Sequence, residues 1–247
     1  PEGEPFCLSL LPMKSRLLAD LGVKHIFALS FNRELSQLSA QDFINLILVR
    51  DLGAQHIVVG ENFAFGKGRS GTVETLGASG QFKLTVVKPV LSEKGQVYSS
   101  SGVRSLLKEG SFEEAEKQLG WPWQIEAEVV KGDQRGRELG YPTANQNVPE
   151  YVRIPYGIYA VRVQIEGETR SREGVANFGI RPMFQISQPI FETFIFDFSA
   201  EIYGKMVRVQ PVRHLRGEQS FENLEALITQ MKEDCIAAKA VLKSSRV

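Results

Sequence analysis

The segment Tyr156-Gly-Ile-Tyr-Ala-Val-Arg-Val-Gln-Ile165 decides the architecture of the second half of the chain. Tyr159, Val161, Val163 and Ile165 alternate with Arg162 and Gln164, which is the pattern of a strand with one buried face. Further strand candidates lie on both sides, separated by glycine, proline and polar turns: Gln124–Val130, Gly174–Asn177, Ile190–Phe198 and Met206–Val212. Several short strands joined by turns predict a small β-barrel.

A long helical pattern follows the last of these strands. It starts near Ser220, and one face carries Phe221, Leu224, Leu227, Ile228, Met231 and Cys235. An amphipathic helix buries its apolar face. We therefore expect this helix to pack against the barrel and close it.

The first half of the chain alternates between helical and strand patterns. Helices are predicted for Met13–Leu21, for the stretch that follows the capping box Ser39–Asp42, and for Ser101–Lys108 and Phe112–Leu119. Buried strands are predicted for Val23–Phe31, Gln55–Gly60 and Phe82–Lys88. This alternation favours a parallel α/β sheet. We place the domain boundary near Gly120–Pro122, which gives an α/β domain at 1–120 and a barrel domain at 121–247.

The amino-acid composition excludes several classes of function. Lys+Arg and Asp+Glu both number 29, so the formal net charge is +0, which argues against a general nucleic-acid binder. Cys7 and Cys235 do not form a disulfide framework, and no apolar run of membrane-spanning length or leader pattern is visible. We expect a cytoplasmic protein that acts on small molecules, has no nucleic-acid or membrane partner, and is a monomer or weak oligomer.

Two segments of the first half have the character of phosphate sites. Gly60–Gly71 is rich in glycine and carries Lys67 and Arg69, although its spacing is not that of a P-loop. Ser99–Arg104 places three hydroxyl groups at the start of a predicted helix. The alternatives are a flexible surface loop for the first segment and ordinary capping of a helix by serine for the second.

A third candidate is the segment Gly132–Asn145, which combines glycines with Arg135 and Arg137. In an extended backbone, Thr143 and Asn145 would point to the same side. Neutral oxygen ligands, together with phosphate oxygens and water, suit Mg²⁺. The alternative is an ordinary turn, in which proline, threonine and asparagine are common.

The fourth candidate is Glu192. On a strand over Ile190–Phe198 its side chain shares a face with Ile190, Phe194, Phe196 and Phe198. A carboxylate held there can accept a proton from a hydroxyl nucleophile. The alternative is a solvated or Arg-paired position at the rim of the barrel.

Taken together, these motifs resemble the riboflavin kinase family. Gly136-Arg-Glu-Leu-Gly-Tyr-Pro-Thr-Ala-Asn145 is similar to its glycine-rich segment and PTAN motif, and Gly174-Val-Ala-Asn-Phe-Gly-Ile-Arg-Pro-Met-Phe184 to its GVANxGxRPTF segment. Glu192, Tyr203-Gly-Lys205 and Leu215-Arg-Gly-Glu-Gln-Ser-Phe221 follow in the same order as in that family.

The front half resembles the nucleotidyltransferase-like, Rossmann-like adenylyltransferase domain of the bifunctional bacterial enzymes that also make FAD. Val59–Gly71 is similar to VGxDFxFGxxxxG, with Asn62 in place of Asp, and Ser99–Arg104 is similar to SSxxIR. The resemblance implies nucleotide or flavin contacts for Asn62, Phe63, Phe65, Gly66, Ser99, Ser100 and Arg104.

For the barrel, the resemblance implies that ATP and Mg²⁺ bind beside riboflavin, with Glu192 as the base toward the riboflavin 5′-hydroxyl. ATP would lie against Gly132, Arg135, Gly136, Arg137, Gly140, Thr143 and Asn145, with the metal on Thr143 and Asn145. Arg181, Arg216 and Phe221 would contact the flavin. The product would be FMN.

One family motif has no counterpart in the chain: the GxFDGxHxGH-type loop, whose histidines serve adenylyl transfer. We therefore expect an incomplete α/β domain and impaired FAD synthesis beside a complete kinase half. Two alternatives stay open. One is full bifunctionality in a longer parent protein, and the other is a non-catalytic module that binds flavin or nucleotide.

Overall fold

The alternating segment around Tyr159 forms a central strand of an antiparallel sheet. The computed structural model describes residues 4–93, 95–132, 136, 139–180 and 189–245. Tyr159, Val161, Val163 and Ile165 are completely buried on one face of this strand, as their spacing predicts.

The helices and strands have the following bounds. The strands are β1 (His56–Gly60), β2 (Lys83–Val87), β3 (Ile125–Glu128), β4 (Thr143–Asn147), β5 (Gly157–Ile165), β6 (Arg172–Ile180), β7 (Pro189–Ile195) and β8 (Met206–Arg216). The α-helices are α1 (Leu11–Asp20), α2 (Arg33–Gln37), α3 (Ala40–Asp42), α4 (Val73–Ala78), α5 (Ser100–Lys108), α6 (Phe112–Leu119) and α7 (Leu224–Ser244). A π-helix (Phe43–Asp51) continues α3, and a 3₁₀ turn (Lys67–Arg69) precedes α4.

The second half of the chain forms the predicted barrel. Its strands follow the order β3-β8-β5-β6-β7-β4, and every neighbouring pair is antiparallel. The gap between the two outer strands is bridged just after the end of β3, where the Val130 N–H donates to the Asn145 carbonyl at 2.8 Å. The sheet is therefore a nearly closed barrel.

Gln146 makes a second link across this closure. Its side chain is completely buried, and Nε2 donates to the carbonyl of Ala127 at 2.7 Å and to the carbonyl of Val207 at 2.8 Å. One amide group of β4 thus bonds to both strands across the gap, to β3 through Ala127 and to β8 through Val207. These two bonds offset the cost of burying the amide nitrogen, whereas Oε1 of the same amide has no hydrogen-bond partner among the described residues.

Strand β4 was not predicted. Its sequence, Thr-Ala-Asn-Gln-Asn, lacks the alternation of apolar residues that marks a half-buried strand. It forms because β7 supplies a complete antiparallel partner, with Thr143 opposite Phe194 and Asn147 opposite Ile190. Pairing with a neighbour here overrides local propensity.

Helix α7 packs on β5, β6 and β8, which confirms the predicted closing helix. It begins a few residues later than predicted, because the Asn223 side chain caps it and accepts from the Ala226 N–H at 2.8 Å. At its other end, Arg162 donates to the Ser245 carbonyl at 3.0 Å. A cation at this end also complements the helix dipole. Beneath the helix, Ala160, Phe196, Ala238 and Leu242 form a small core cluster.

Residues Val23–Tyr98 form a separate compact unit. Strands β1 and β2 pair in parallel, with His56 opposite Lys83, and Leu76 of the intervening helix α4 is buried with Ile44 and Phe65. This confirms the predicted parallel α/β arrangement. The predicted strand at Val23–Phe31 is wrong, since the segment is exposed and has no regular secondary structure. A strand needs hydrogen-bonding partners for its backbone, and the described sheet of this unit consists of β1 and β2 alone.

The other compact unit combines Pro1–Gly22 with Ser99–Val247. The indole N–H of Trp123 donates to the Leu8 carbonyl at 2.8 Å, and Arg16 pairs with Glu126 at 2.7 Å. The domain boundary at residue 120 stays a prediction. Among the described residues, no helix is both long enough and apolar enough to cross a membrane.

The buried amide of Gln146 gives a test of barrel closure. Replacing Gln146 with Met keeps the length of the side chain but removes both hydrogen bonds, so the unfolding free energy should fall by about 1–3 kcal/mol. Denaturant unfolding followed by tryptophan fluorescence measures this, because both tryptophans, Trp121 and Trp123, belong to the unit that contains the barrel.

The matched control is Gln210→Met, on the half-buried outer face of β8. It should change stability by less than about 0.5 kcal/mol. Equal losses for the two variants would show that Gln146 does not close the barrel.

Candidate active site

The predicted metal ligands and the predicted base lie side by side on neighbouring strands. In the β4–β7 pair, Asn145 is directly opposite Glu192, and in the β6–β7 pair Asn177 is opposite Glu192 from the other side. Side chains directly opposite in antiparallel strands have Cβ atoms about 4.5–5.5 Å apart. The structure therefore brings Asn145, Glu192 and Asn177 together in one row.

This row forms part of the wall of a cavity of about 550 Å³. Thr143 and Gly136 also line this cavity. The rest of the wall is mainly apolar and comes from the sheet and from helix α7: Ile158, Val175, Ile180, Ile190, Phe194, Phe221, Leu227 and Met231. A concave, mostly apolar pocket with a few converging polar groups is the usual form of a small-molecule site.

The glycines of the segment before β4 allow close backbone packing around Thr143 and Asn145. A Cβ atom on Gly132 would lie 2.5 Å from Asn145 Nδ2. The Gly136 carbonyl accepts from the Tyr141 N–H at 2.7 Å, and Gly140 has φ +84, so the chain turns tightly into the strand. Substituting Gly132 or Gly140 would thus disturb the position of Asn145 or the turn. Arg135, Arg137 and Arg181 lie outside the described residues.

Arg216 lines the cavity, but its guanidinium is held by a carboxylate that the sequence analysis missed. Nε and Nη2 donate to the two carboxylate oxygens of Asp234 at 2.8 and 2.6 Å, and Gln230 donates to the same carboxylate at 3.2 Å. The guanidinium also lies 5.8 Å from the Phe221 ring centre. A single carboxylate within the apolar stripe of α7 was the available signal for Asp234.

A second cavity, of about 270 Å³, adjoins the first. Thr143 and Asn145 line both cavities, whereas Glu192 lines only the larger one. The wall of the smaller cavity includes Val129, Pro142, Thr193, Ile195, Ile202 and Tyr203. The two predicted metal ligands, Thr143 and Asn145, therefore lie at the boundary between the two cavities.

Comparison with known proteins places the chain in a family. The family model described as riboflavin kinase matches residues 119–242, and the model described as FAD synthetase matches residues 1–101. A bifunctional riboflavin kinase/FMN adenylyltransferase of Listeria monocytogenes is 36% identical over 231 residues, which are 92% of this chain and 72% of the relative.

The chain belongs to the bifunctional riboflavin kinase/FMN adenylyltransferase family.

A further relative and a solved structure are similar to this chain to about the same extent. The Escherichia coli K12 protein of that name is 35% identical over 238 residues, covering 95% of this chain and 75% of the relative. Among solved structures, a Streptococcus pneumoniae protein described as a macrolide-efflux protein superposes with a TM-score of 0.77 at 32% identity, covering 92% of this chain and 73% of that one. The resemblance inferred from the motifs is confirmed.

The residues predicted for the adenylyltransferase half of the family lie in different compact units. Asn62, Phe63, Phe65 and Gly66 belong to the Val23–Tyr98 unit, and Ser99, Ser100 and Arg104 belong to the other. Phe65 is buried and stacks on Phe63 at 5.5 Å between ring centres. A Cβ atom on Gly66 would lie 2.7 Å from the Ala40 nitrogen, so this glycine permits close packing on α3.

The contacts of the SSxxIR-like segment are structural ones. Ser99 caps helix α5 by accepting from the Gly102 N–H at 3.1 Å, and Ser100 is the first residue of that helix. The Arg104 Nε donates to the Phe6 carbonyl at 2.7 Å, and its guanidinium lies 5.5 Å from the Phe6 ring centre. Roles for these residues in binding nucleotide or flavin stay predictions.

Charge and burial in the larger cavity raise the pKa of two groups. Burial raises the pKa of the Cys235 thiol above its usual value, and the Asp234 carboxylate raises it further. Burial, followed by the nearby Cys235 thiol, raises the pKa of the Tyr141 phenol. Both side chains are therefore protonated at neutral pH, and the thiol form of Cys235 is less reactive than a thiolate.

The pKa of Cys235 gives a prediction about its reactivity. Because alkylation requires the thiolate, labelling by iodoacetamide should rise with pH over a higher range in the folded protein than in the unfolded chain. Mass spectrometry of the Cys235 peptide after short labelling pulses from pH 7 to 10 measures this. The same residue in guanidinium-unfolded protein is the control, and coinciding pH profiles would contradict the assignment.

Proposed function

We propose that the protein transfers the γ-phosphate of ATP to the 5′-hydroxyl of riboflavin and so makes FMN. The observation that carries this proposal is the direct cross-strand pairing of Glu192 with Asn145, since both line one cavity. A carboxylate beside two neutral oxygen ligands is what a hydroxyl nucleophile and a polyphosphate donor require.

The two cavities suggest that each substrate binds in a cavity of its own. Glu192 lines only the larger cavity, so the hydroxyl that it deprotonates must enter there with riboflavin. The cavity volume of about 550 Å³ and its apolar wall suit a large aromatic ring system. ATP would then occupy the smaller cavity, with its phosphates at the shared edge formed by Thr143 and Asn145.

Thr143 and Asn145 would hold Mg²⁺ with the ATP phosphates. They are two residues apart on β4 and therefore point to the same side, and their hydroxyl and amide oxygens are hard, neutral ligands. No group of three or more His, Cys, Asp or Glu residues in the described ranges could hold a metal by itself. When bound, the ion neutralises charge on the phosphates.

Glu192 would act as the general base. As the riboflavin oxygen forms its bond to the γ-phosphorus, the hydroxyl proton passes to the carboxylate. The bond from the γ-phosphorus to the bridging oxygen breaks, and ADP leaves. Phosphoryl transfer of this kind depends mainly on positioning and charge neutralisation. Gly132 would contribute indirectly, because its lack of a side chain leaves room for Asn145, and Gly140 has open space around its Cα for a ligand. Arg216 and Phe221 would border the flavin.

The second activity of the family, adenylylation of FMN to FAD, would belong to the α/β half. Asn62, Phe63, Phe65, Gly66, Ser99, Ser100 and Arg104 are the proposed contacts there. We propose that the division between the two activities follows the predicted domains, 1–120 and 121–247. The matches to the FAD synthetase and riboflavin kinase families, at residues 1–101 and 119–242, support this division.

Incubation with riboflavin and ATP tests the function directly. FMN should form in the presence of Mg²⁺ and should not form when EDTA removes the metal. Chromatography separates riboflavin, FMN and FAD. FAD as a further product would support bifunctionality, whereas the absence of both products would favour a non-catalytic module.

The Glu192→Gln variant tests the base. Glutamine keeps the shape of the side chain but cannot take the proton, so turnover should fall by at least about 10²-fold. Binding of ATP, measured by calorimetric titration, should persist. The Glu166→Gln variant is the control: Glu166 is exposed, and its carboxylate accepts from the Met206 N–H at 3.1 Å, a bond that an amide oxygen can replace.

Full turnover in the Glu192→Gln variant would remove Glu192 from the role of base. The proposal of riboflavin phosphorylation would then need a different proton acceptor.

A further inference from the structure

Thr193 carries a buried hydroxyl group that the proposed mechanism does not use. It follows Glu192 on β7, but its side chain lies on the opposite, interior face and is 1% exposed. Its Oγ1 has no hydrogen-bond partner among the described residues. The residues directly opposite on β4 and β6 are Ala144 and Ala176, neither of which carries a polar side chain.

An unpartnered buried hydroxyl is unfavourable for folding. Valine has the same shape and β-branching as threonine and would fill this position without desolvating a polar group. Interior positions beside Thr193 on the same strand, Phe191 and Ile195, are apolar. The threonine thus costs stability in the free protein, which is expected where a polar group serves a ligand.

The location of Thr193 indicates which ligand its hydroxyl group would bind. Thr193 lines the smaller cavity and does not line the larger one. Thr143 and Asn145 stand at the edge that this cavity shares with its neighbour. If ATP phosphates lie at that edge, the part of the cavity around Thr193 is left for the nucleoside.

We propose that the Thr193 hydroxyl hydrogen-bonds the nucleoside part of ATP and helps to set the specificity for the nucleotide. This inference rests on the proposed division of the two substrates between the two cavities. A hydroxyl can both donate and accept, so it matches either kind of polar atom on a nucleobase edge. Val129, Ile195 and Ile202 provide apolar surface around it for the flat ring.

The Thr193→Val variant tests this assignment. Loss of one hydrogen bond should raise the KM for ATP about 5- to 30-fold, while the KM for riboflavin stays within about twofold. The Kd for ADP, titrated without riboflavin, should rise by the same factor as the KM for ATP. The melting temperature of the free protein should stay the same or increase, because valine removes the unpaired group.

The matched control is Thr229→Val on helix α7, where the hydroxyl is exposed and donates to the Glu225 carbonyl at 2.9 Å. It should leave both KM values unchanged. A purely structural role of Thr193 would instead lower the melting temperature and raise both KM values together, and that result would overturn the proposal. An unchanged Kd for ADP would overturn it as well.

Failure of this inference differs from failure of the proposed function. If the wild-type protein makes no FMN, the proposed function is wrong, yet the ADP titration still decides the role of Thr193 because it needs no turnover. If FMN forms and only the riboflavin KM responds to Thr193→Val, the function stands and the assignment of Thr193 is wrong.

Discussion

The pairing register of β4 with β7 is the constraint on which the site depends. Adjacent residues of a strand point to opposite faces, so Asn145 faces the larger cavity while Gln146 enters the interior. A slip of one residue would exchange these two faces. The proposed metal ligands would then turn into the barrel, and the buried amide that joins its edges would be lost. The same register also sets Asn145 opposite Glu192.

The interior side of this pairing holds the register in place. Gln146 donates to two carbonyls on strands that lie outside the β4–β7 pair, and the Val130 N–H donates to the Asn145 carbonyl. These bonds can form only when β4 has the observed register. Closure of the barrel and formation of the site are therefore the same structural event.

Helix α7 provides the opposite wall of the cavity, and a partly buried ion pair fixes its position. Arg216 and Asp234 make two hydrogen bonds, and their side chains are only 18% and 8% exposed. The desolvation cost of such a pair offsets much of its attraction, so it is weak evidence for stability. Its directional geometry nevertheless ties the helix to the end of β8 at the level of Met231 and Cys235, which line the cavity.

Much of the fold could be predicted from local sequence patterns. The strand around Tyr159 and the helix after Ser220 carry periodicities long enough to identify them, and the parallel pair of the α/β unit followed from its alternating elements. Strand β4 could not be predicted this way, because its polar sequence is extended only through pairing with β7. The strand predicted for the apolar run Val23–Phe31 is wrong for the opposite reason: the run is hydrophobic, but no neighbouring strand in the described structure pairs with its backbone.

The sequence by itself determined the family of the protein and the candidate residues Thr143, Asn145 and Glu192, because these lie in short ordered motifs. The tertiary structure decided that Glu192 stands directly opposite Asn145, that Asp234 holds Arg216, and that Thr193 has a buried hydroxyl beside a second cavity. These facts depend on strand register and on packing between segments far apart in the chain. Neither the strand register nor the packing between distant segments can be predicted from local patterns of residues.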